Sequence, residues 1–257
     1  FEQLDANLVL TSATIADMQQ STAFSGIKGA LGLRDFAVLC ESRFSPAKYG
    51  QMTFSIMPHK GKAFVGVDDD MVYDQAWLNA TAQTIKNLQG KTLVLVPSFR
   101  EAKVLARLID DQARVICHTA NQPNYQVIDQ FINQQQILIT PSCWEGVNVR
   151  NADGSQVIEN IVITRIPFAP PDMVKLKSLT AYLDDAVEAQ KIIYLSGRNA
   201  AFRKIKQGMG RGIRSPNDTV HVVFCDARIT GARQAIPKRF QSEFDAVVNR
   251  GKVTNVF

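Results

Sequence analysis

Strand-like apolar runs alternate with helix-like segments along most of this 257-residue chain, which predicts an α/β fold: a mostly parallel sheet with helices on both faces. Two further observations support it. The strand candidates are continuously apolar and β-branched, as strands buried on both faces are. Polar clusters also follow several strand candidates directly: TSAT at 11–14, PSFR at 97–100, TPSCWEGVN at 140–148 and DAR at 226–228. In such sheets ligands collect beyond the carboxyl ends of the strands.

In order, NLVLTS (7–12) and FAVLCE (36–41) read as buried strands. The segment 58–72, with Gly61, Gly66 and the Asp68-Asp69-Asp70 run, reads as a loop ahead of a helix near 73–89. KTLVLVPS (91–98) is the clearest strand, and a helix from about 100 to 110 follows. ARVICH (113–118) is a strand, a helix spans about 124–133, and QILITPS (136–142) is the next strand. VIENIVITRIPF (157–168) contains another. A long helical region covers about 172–208, with a break expected near Ser196-Gly197. TVHVVFCDAR (219–228) is the last strand, and a helix from about 238 to 248 closes the chain.

Composition narrows the function classes. No apolar run is long enough to span a bilayer. The N-terminus lacks the basic and apolar regions of a secretory signal; it enters a strand-like segment at once and is expected to continue a longer polypeptide. Cys40, Cys117, Cys143 and Cys225 are too far apart for a C-x-x-C site, and they suit a reducing, cytoplasmic setting. His59, His118 and His221 stand isolated, and the three adjacent aspartates diverge, so no metal site is expected. The net charge of +5 is uneven: residues 191–250 carry twelve Lys/Arg against four Asp/Glu. A basic region inside a folded domain points to a polyanion, nucleotide or nucleic acid, or is simply a solvated basic face.

The densest part of that region is QGMGRGIR, Gln207 to Arg214. Arg211 and Arg214 lie three residues apart behind Gly210, with Gln207 four residues earlier. Guanidinium groups stay charged, fork onto phosphate oxygens and stabilise charge developing in phosphoryl transfer. Arginines at a helix C-terminus also serve as simple caps. The preceding segment, with Arg198, Arg203, Lys204 and Lys206, adds charge of which part is expected to face phosphate.

Four clusters in order, LVLTSATI (8–15), LVLVPSFREAKVLA (93–106), ILITPSCWEGVNV (137–149) and QGMGRGIR, with RIPFAPPD (165–172) before the last, carry a resemblance. Together they are similar to the C-terminal half of superfamily 2 helicases of the XPD/DinG group, over nearly the whole chain. TSAT resembles motif III, PSFR motif IV, TPSCWEGVN motif V, and QGMGRGIR motif VI, whose family form is Q-x-x-G-R-x-x-R. RIPFAPPD resembles the L-P-F-x-x-P segment particular to the group.

The resemblance implies an ATP-driven motor with two RecA-like domains of the P-loop NTPase class, translocating 5′ to 3′ on single-stranded DNA, with repair as the default setting. Residues 1–15 would end the first motor domain and 16–257 would form the second. Arg211 would be the arginine finger, Arg214 a second phosphate contact or structural partner, and Gln207 would position nucleotide or water. Gly210 would let the backbone pass close to the interface. Glu145, Gly146 and Asn148 would face the nucleotide; the family's E-G-[IV]-D has Asp where Asn148 stands, which predicts slower turnover or relaxed nucleotide choice. Ser98, Arg100, Thr140 and Ser142 would contact DNA phosphates, Ser98 alternatively being an N-cap. Trp144 would stack on a base or pack internally, and Phe168 beside its prolines would wedge against single-stranded DNA or pack. Thr11 and Ser12 would couple the two ligands. The sequence has no G-x-x-x-x-G-K-[ST] loop and no Walker B box. ATP and Mg²⁺ are therefore expected to bind mainly the N-terminal motor domain of the same polypeptide, where an iron–sulfur cluster would also lie, and this chain alone is expected to be inactive. Partners would be single-stranded DNA or duplex junctions, with no membrane. The alternative is a degenerate helicase-like domain that binds nucleic acid or a partner.

Overall fold

Three short strands with every side chain buried, Thr92–Leu95, Ile137–Thr140 and Asn160–Ile163, set the frame. The computed structural model describes residues 49–58, 63–67 and 70–253. The expectations for TSAT with Thr11 and Ser12, for the strands at 7–12 and 36–41, and for a boundary near residue 15 lie outside them. The elements are β1 (Gln51–Ile56), β2 (Phe64–Val67), β3 (Asp70–Tyr73), α1 (Gln75–Asn87), β4 (Thr92–Leu95), α2 (Phe99–Ile109), β5 (Val115–Cys117) and α3 (Asn124–Asn133). There follow β6 (Ile137–Thr140), β7 (Asn160–Ile163), α4 (Met173–Leu183), α5 (Ala186–Met209), β8 (Thr219–Phe224), three 3₁₀ turns between Ala227 and Phe240, and α6 (Gln241–Val253).

Six strands form one sheet in the order β1-β8-β7-β4-β6-β5, and every pair is parallel. Parallel neighbours need crossover connections, which the helices supply. The register alternates side chains between two cores. Leu93, Leu95, Leu138, Ile161, Ile163 and Val222 pack beneath α3, α5 and α6. Val94, Ile137, Ile139, Val162 and Val223 pack beneath α1 and α2. The result is the expected three-layer α/β/α arrangement, with β4 at its centre.

Three local readings differ from the sequence expectation. The segment QMTFSI, not expected to be a strand, forms β1 with exposed Gln51 and Thr53 alternating with buried Met52 and Phe54. This edge strand is covered on one face by Phe244 of α6, whose ring meets Phe54 edge-on at 5.6 Å. Second, part of the expected loop at 58–72 is an antiparallel hairpin, β2–β3. Third, the long helix breaks at Asp184-Asp185, not at Ser196-Gly197: Asp184 takes the left-handed conformation (φ 53°), and Asp185 caps α5 by accepting from the amides of Val187 and Glu188. A left-handed residue followed by a side-chain cap ends one helix and starts the next. Gly197, inside α5, has open space around it.

Candidate functional site: the seam between motifs V and VI

The motif IV cluster begins where β4 ends. Ser98 is extended and caps α2 by accepting from the amide of Glu101 at 3.3 Å. Arg100 is exposed, its guanidinium 5.7 Å from the ring of Tyr73. Next to it, Glu101 is fully buried and accepts from Arg165 at 2.7 and 2.6 Å, from Thr164 and from the Tyr73 hydroxyl. A buried carboxylate is tolerable only with such partners. This network ties motif IV to the start of RIPFAPPD, a link that no sequence spacing signalled.

Motif V begins where β6 ends. Thr140 is completely buried, its hydroxyl 2.7 Å from His118 Nδ1 and accepting from the Ser142 amide at 3.0 Å. Trp144 is 1% exposed and donates its indole N–H to the carbonyl of Val96 at 3.1 Å. Both residues, expected at a nucleic-acid surface, are here in the interior, because their polar atoms are satisfied by the ends of β4 and β5. Ser142 is half-buried, while Glu145 and Asn148 are exposed. Gly146 sits at φ +73°, which glycine adopts without strain, and its turn directs the flanking carbonyls toward motif VI.

The end of α5 lies against that turn. The Arg211 guanidinium donates from Nε to the carbonyl of Trp144 at 3.3 Å and from Nη1 to the carbonyl of Val147. Burial, then the nearby Arg214 charge, push its pKa down from the ordinary arginine value. Arg214 is exposed and lines a depression of about 480 Å³ with Asn148, Arg150, Gly154 and Ser215. Gln207 is half-buried. Within the domain, close approach falls at Gly208 and Gly212. A Cβ on Gly208 would stand 2.7 Å from Leu95 Cδ1, and one on Gly212 would stand 2.6 Å from Val220 Cγ2. At Gly210 the nearest atoms, carbonyl oxygens of its own turn, are at 3.4 Å.

A second bond closes the seam. Asp218 accepts from both Nη atoms of Arg150, from the amides of Arg214 and Ser215 at 2.6 and 2.7 Å, and from the Ser215 hydroxyl. The Arg150 hydrogen bonds hold its carboxyl well below the usual carboxylate range. Arg150 and Asp218 escaped the sequence reading, though one lies two residues past Asn148 and the other four past Arg214. The seam thus brings together Glu145 to Arg150 and Gln207 to Asp218, a cluster of three arginines with two carboxylates, buried Asp218 and exposed Glu145. Such a surface can bind and orient an anion.

Among the described residues no group of three or more His, Cys, Asp and Glu could hold a metal ion. Cys143 and Cys225 are buried thiols, pushed up by burial to about 11 and about 12. They do not form a ligand set for a cluster. No described helix is long and apolar enough to cross a membrane.

Comparison with known proteins assigns this architecture. The helicase C-terminal domain family matches residues 81–243. The chain is 26% identical over 220 residues to the probable ATP-dependent helicase YpvA of Bacillus subtilis, covering 83% of this chain and 30% of that protein. It is 26% identical over 183 residues to the ATP-dependent DNA helicase XPD of Sulfolobus acidocaldarius, covering 65% of this chain and 31% of that protein. It also superposes on a solved XPD helicase with a TM-score of 0.53 at 21% identity, over 78% of this chain and 35% of the other. The chain therefore spans about a third of the length of the relatives it matches. With motifs IV, V and VI assembled on a parallel RecA-like sheet, it belongs to the helicase C-terminal domain family of XPD- and DinG-type helicases.

Proposed function

We propose that this chain is the second motor domain of an ATP-dependent DNA helicase, meeting ATP bound on a first motor domain of the same polypeptide. The observation that carries the reading is the seam itself: Arg211 and Arg214 are set beside the motif V turn, so one element can respond to nucleotide and to nucleic acid together. Phosphoryl transfer is mainly positioning and charge stabilisation, and an arginine from a facing domain supplies both. Arg214 projects from the depression as a phosphate contact. Arg211 is the finger; its guanidinium exchanges the carbonyls of Trp144 and Val147 for phosphate oxygens when the domains close. Gln207, Glu145, Gly146, Asn148 and Gly210 shape the nucleotide-facing side. This chain contributes cations, while P-loop, magnesium ligands and any iron–sulfur cluster belong to the first domain. Ser98, Arg100 and Ser142, at the carboxyl edge of the sheet, face the nucleic acid, and Thr11 and Ser12 relay between ligands. Movement 5′ to 3′ on single-stranded DNA or at duplex junctions, in cytoplasmic DNA repair, is the activity this reading predicts.

The test is Arg211→Ala in the polypeptide carrying both motor domains. Loss of ATP turnover by about 10³-fold, with DNA affinity nearly intact, is the expected result. Unchanged turnover would favour the second reading, a binding module, which draws support from the fact that Arg211 is already bonded within its own domain.

A further inference from the structure

The turn that follows motif V carries side chains the proposed function leaves unused. Arg150 and Gln156 pair across it as an antiparallel bridge, and residues 152–155 between them are exposed. Both end residues reach over to motif VI. Arg150, its side chain 9% exposed, gives both Nη atoms to Asp218, Nη1 at 3.0 Å. Asp218 then accepts from the backbone amides of Arg214 and Ser215 at 2.6 and 2.7 Å. Gln156 Nε2 donates to the carbonyls of Gly212 at 3.2 Å and Thr219 at 2.7 Å, and its Oε1 accepts from the Thr219 amide at 3.0 Å. The loop 212–219 is thus tied to one turn at both ends and, through Asp218, at Arg214. The Arg214 side chain is exposed, so what these bonds fix is its backbone, and with it the direction in which the side chain leaves.

We infer that Arg150 and Gln156 are positioning residues for Arg214: the turn after motif V sets the backbone from which this arginine reaches phosphate. The inference deepens the proposed function and rests on its nucleotide half. A long side chain on a loose loop has much freedom to lose when it meets a ligand, and fixing its backbone beforehand removes part of that cost. Charge held in place in advance is also what stabilises a phosphoryl group in transfer. A planar fork suits position 150. Arg150 takes both carboxylate oxygens of Asp218, so the carboxylate cannot turn, and both loop amides fall on its Oδ2. A lysine would hold one point and leave that rotation free. Arg211 needs no such device, because its guanidinium is bonded directly to the carbonyls of Trp144 and Val147.

A double-mutant cycle on ATP turnover tests it, in the polypeptide carrying both motor domains, at saturating DNA and well below its unfolding temperature. Arg214→Ala should lower kcat about 10²-fold. Arg150→Gln should lower kcat about tenfold with KM for ATP unchanged. In the Arg214→Ala background it should lower kcat no further, because it acts only through Arg214. Arg150→Lys should fall between wild type and Arg150→Gln. Gln156→Ala should show the same dependence on Arg214 more weakly, and serves as the second route if Arg150→Gln does not fold. Unchanged kcat in Arg150→Gln and Gln156→Ala, or an equal loss in both backgrounds, overturns the positioning role and leaves Arg214 a phosphate contact. Unchanged turnover in Arg214→Ala, with Arg211→Ala inactive, removes Arg214 and this inference but keeps the motor reading. Unchanged turnover in both arginine variants overturns the nucleotide half of that reading as well.

Discussion

The C-terminal end of α5 and its middle differ in how their arginines are used. At its C-terminal end, Arg211 and the adjoining Arg150 spend their donors on carbonyls and a carboxylate of the same domain. At its middle, Arg198 keeps a buried nitrogen without a partner, and α4, packed beside α5, has no buried residue. A polar group satisfied within the fold stabilises a shape, whereas an unsatisfied one marks a place for something else.

Breaking the seam should have the largest effect. Asp218→Ala leaves Arg150 buried without its partner and removes the acceptor for two amides. A loss of about 3–5 kcal/mol in denaturant unfolding is expected. The same group predicts a pH dependence. Its carboxyl has a folded-state pKa below the unfolded value near 4. Its contribution is therefore complete above about pH 4 and is lost as pH falls through the lower folded value. Asp218→Asn should flatten the fall in stability in that acid range; an identical acid profile would remove Asp218 as its cause.

Gly208→Ala comes next, at about 1–3 kcal/mol, because its new Cβ meets Leu95 and Trp144 and neither can retreat from the core. Smaller still is Asn148→Asp in the two-domain polypeptide. A charged acceptor beside Arg214 is expected to raise ATP turnover about fivefold, the worth of charging one hydrogen bond. Equal rates would sink the idea that the amide slows the site. Gly197→Ala, at the middle of the helix, should stabilise the chain by about 0.5–1 kcal/mol, since its Cβ enters open space. If Gly197→Ala and Gly208→Ala cost the same, the contrast between the middle of the helix and its C-terminal end fails.

The central strands were legible in the sequence because burial on both faces leaves no choice of residue: LVL at 93–95 and ILI at 137–139 can be little else. Helix α2 was equally legible from Ser98 and its apolar periodicity. Edge strand β1 was not, since half of QMTFSI faces outward and reads as polar. The hairpin was hidden by Gly66 and the aspartates. Motif order located the seam, but not which hydroxyls and rings point inward. Thr140 and Trp144 look like ligand-facing residues until the ends of β4 and β5 supply their partners. Glu101–Arg165 and Arg150–Asp218 join residues 64 and 68 positions apart, and no local pattern encodes such pairs.

Helix α5 runs unbroken for 24 residues. At 1.5 Å per residue it is a rod of about 36 Å. Its C-terminal part is anchored by buried Ala201, Phe202, Ile205, Gly208 and Met209, whereas its first half buries Ala189 alone. Such a rod is a lever with its fulcrum beside Arg211 and Arg214. A tilt of about 10° at the C-terminal end would sweep the opposite end through roughly 6 Å, about one turn of helix. A small adjustment at the seam would thus become, by geometry alone, a displacement of about one helical turn at the α4–α5 hairpin.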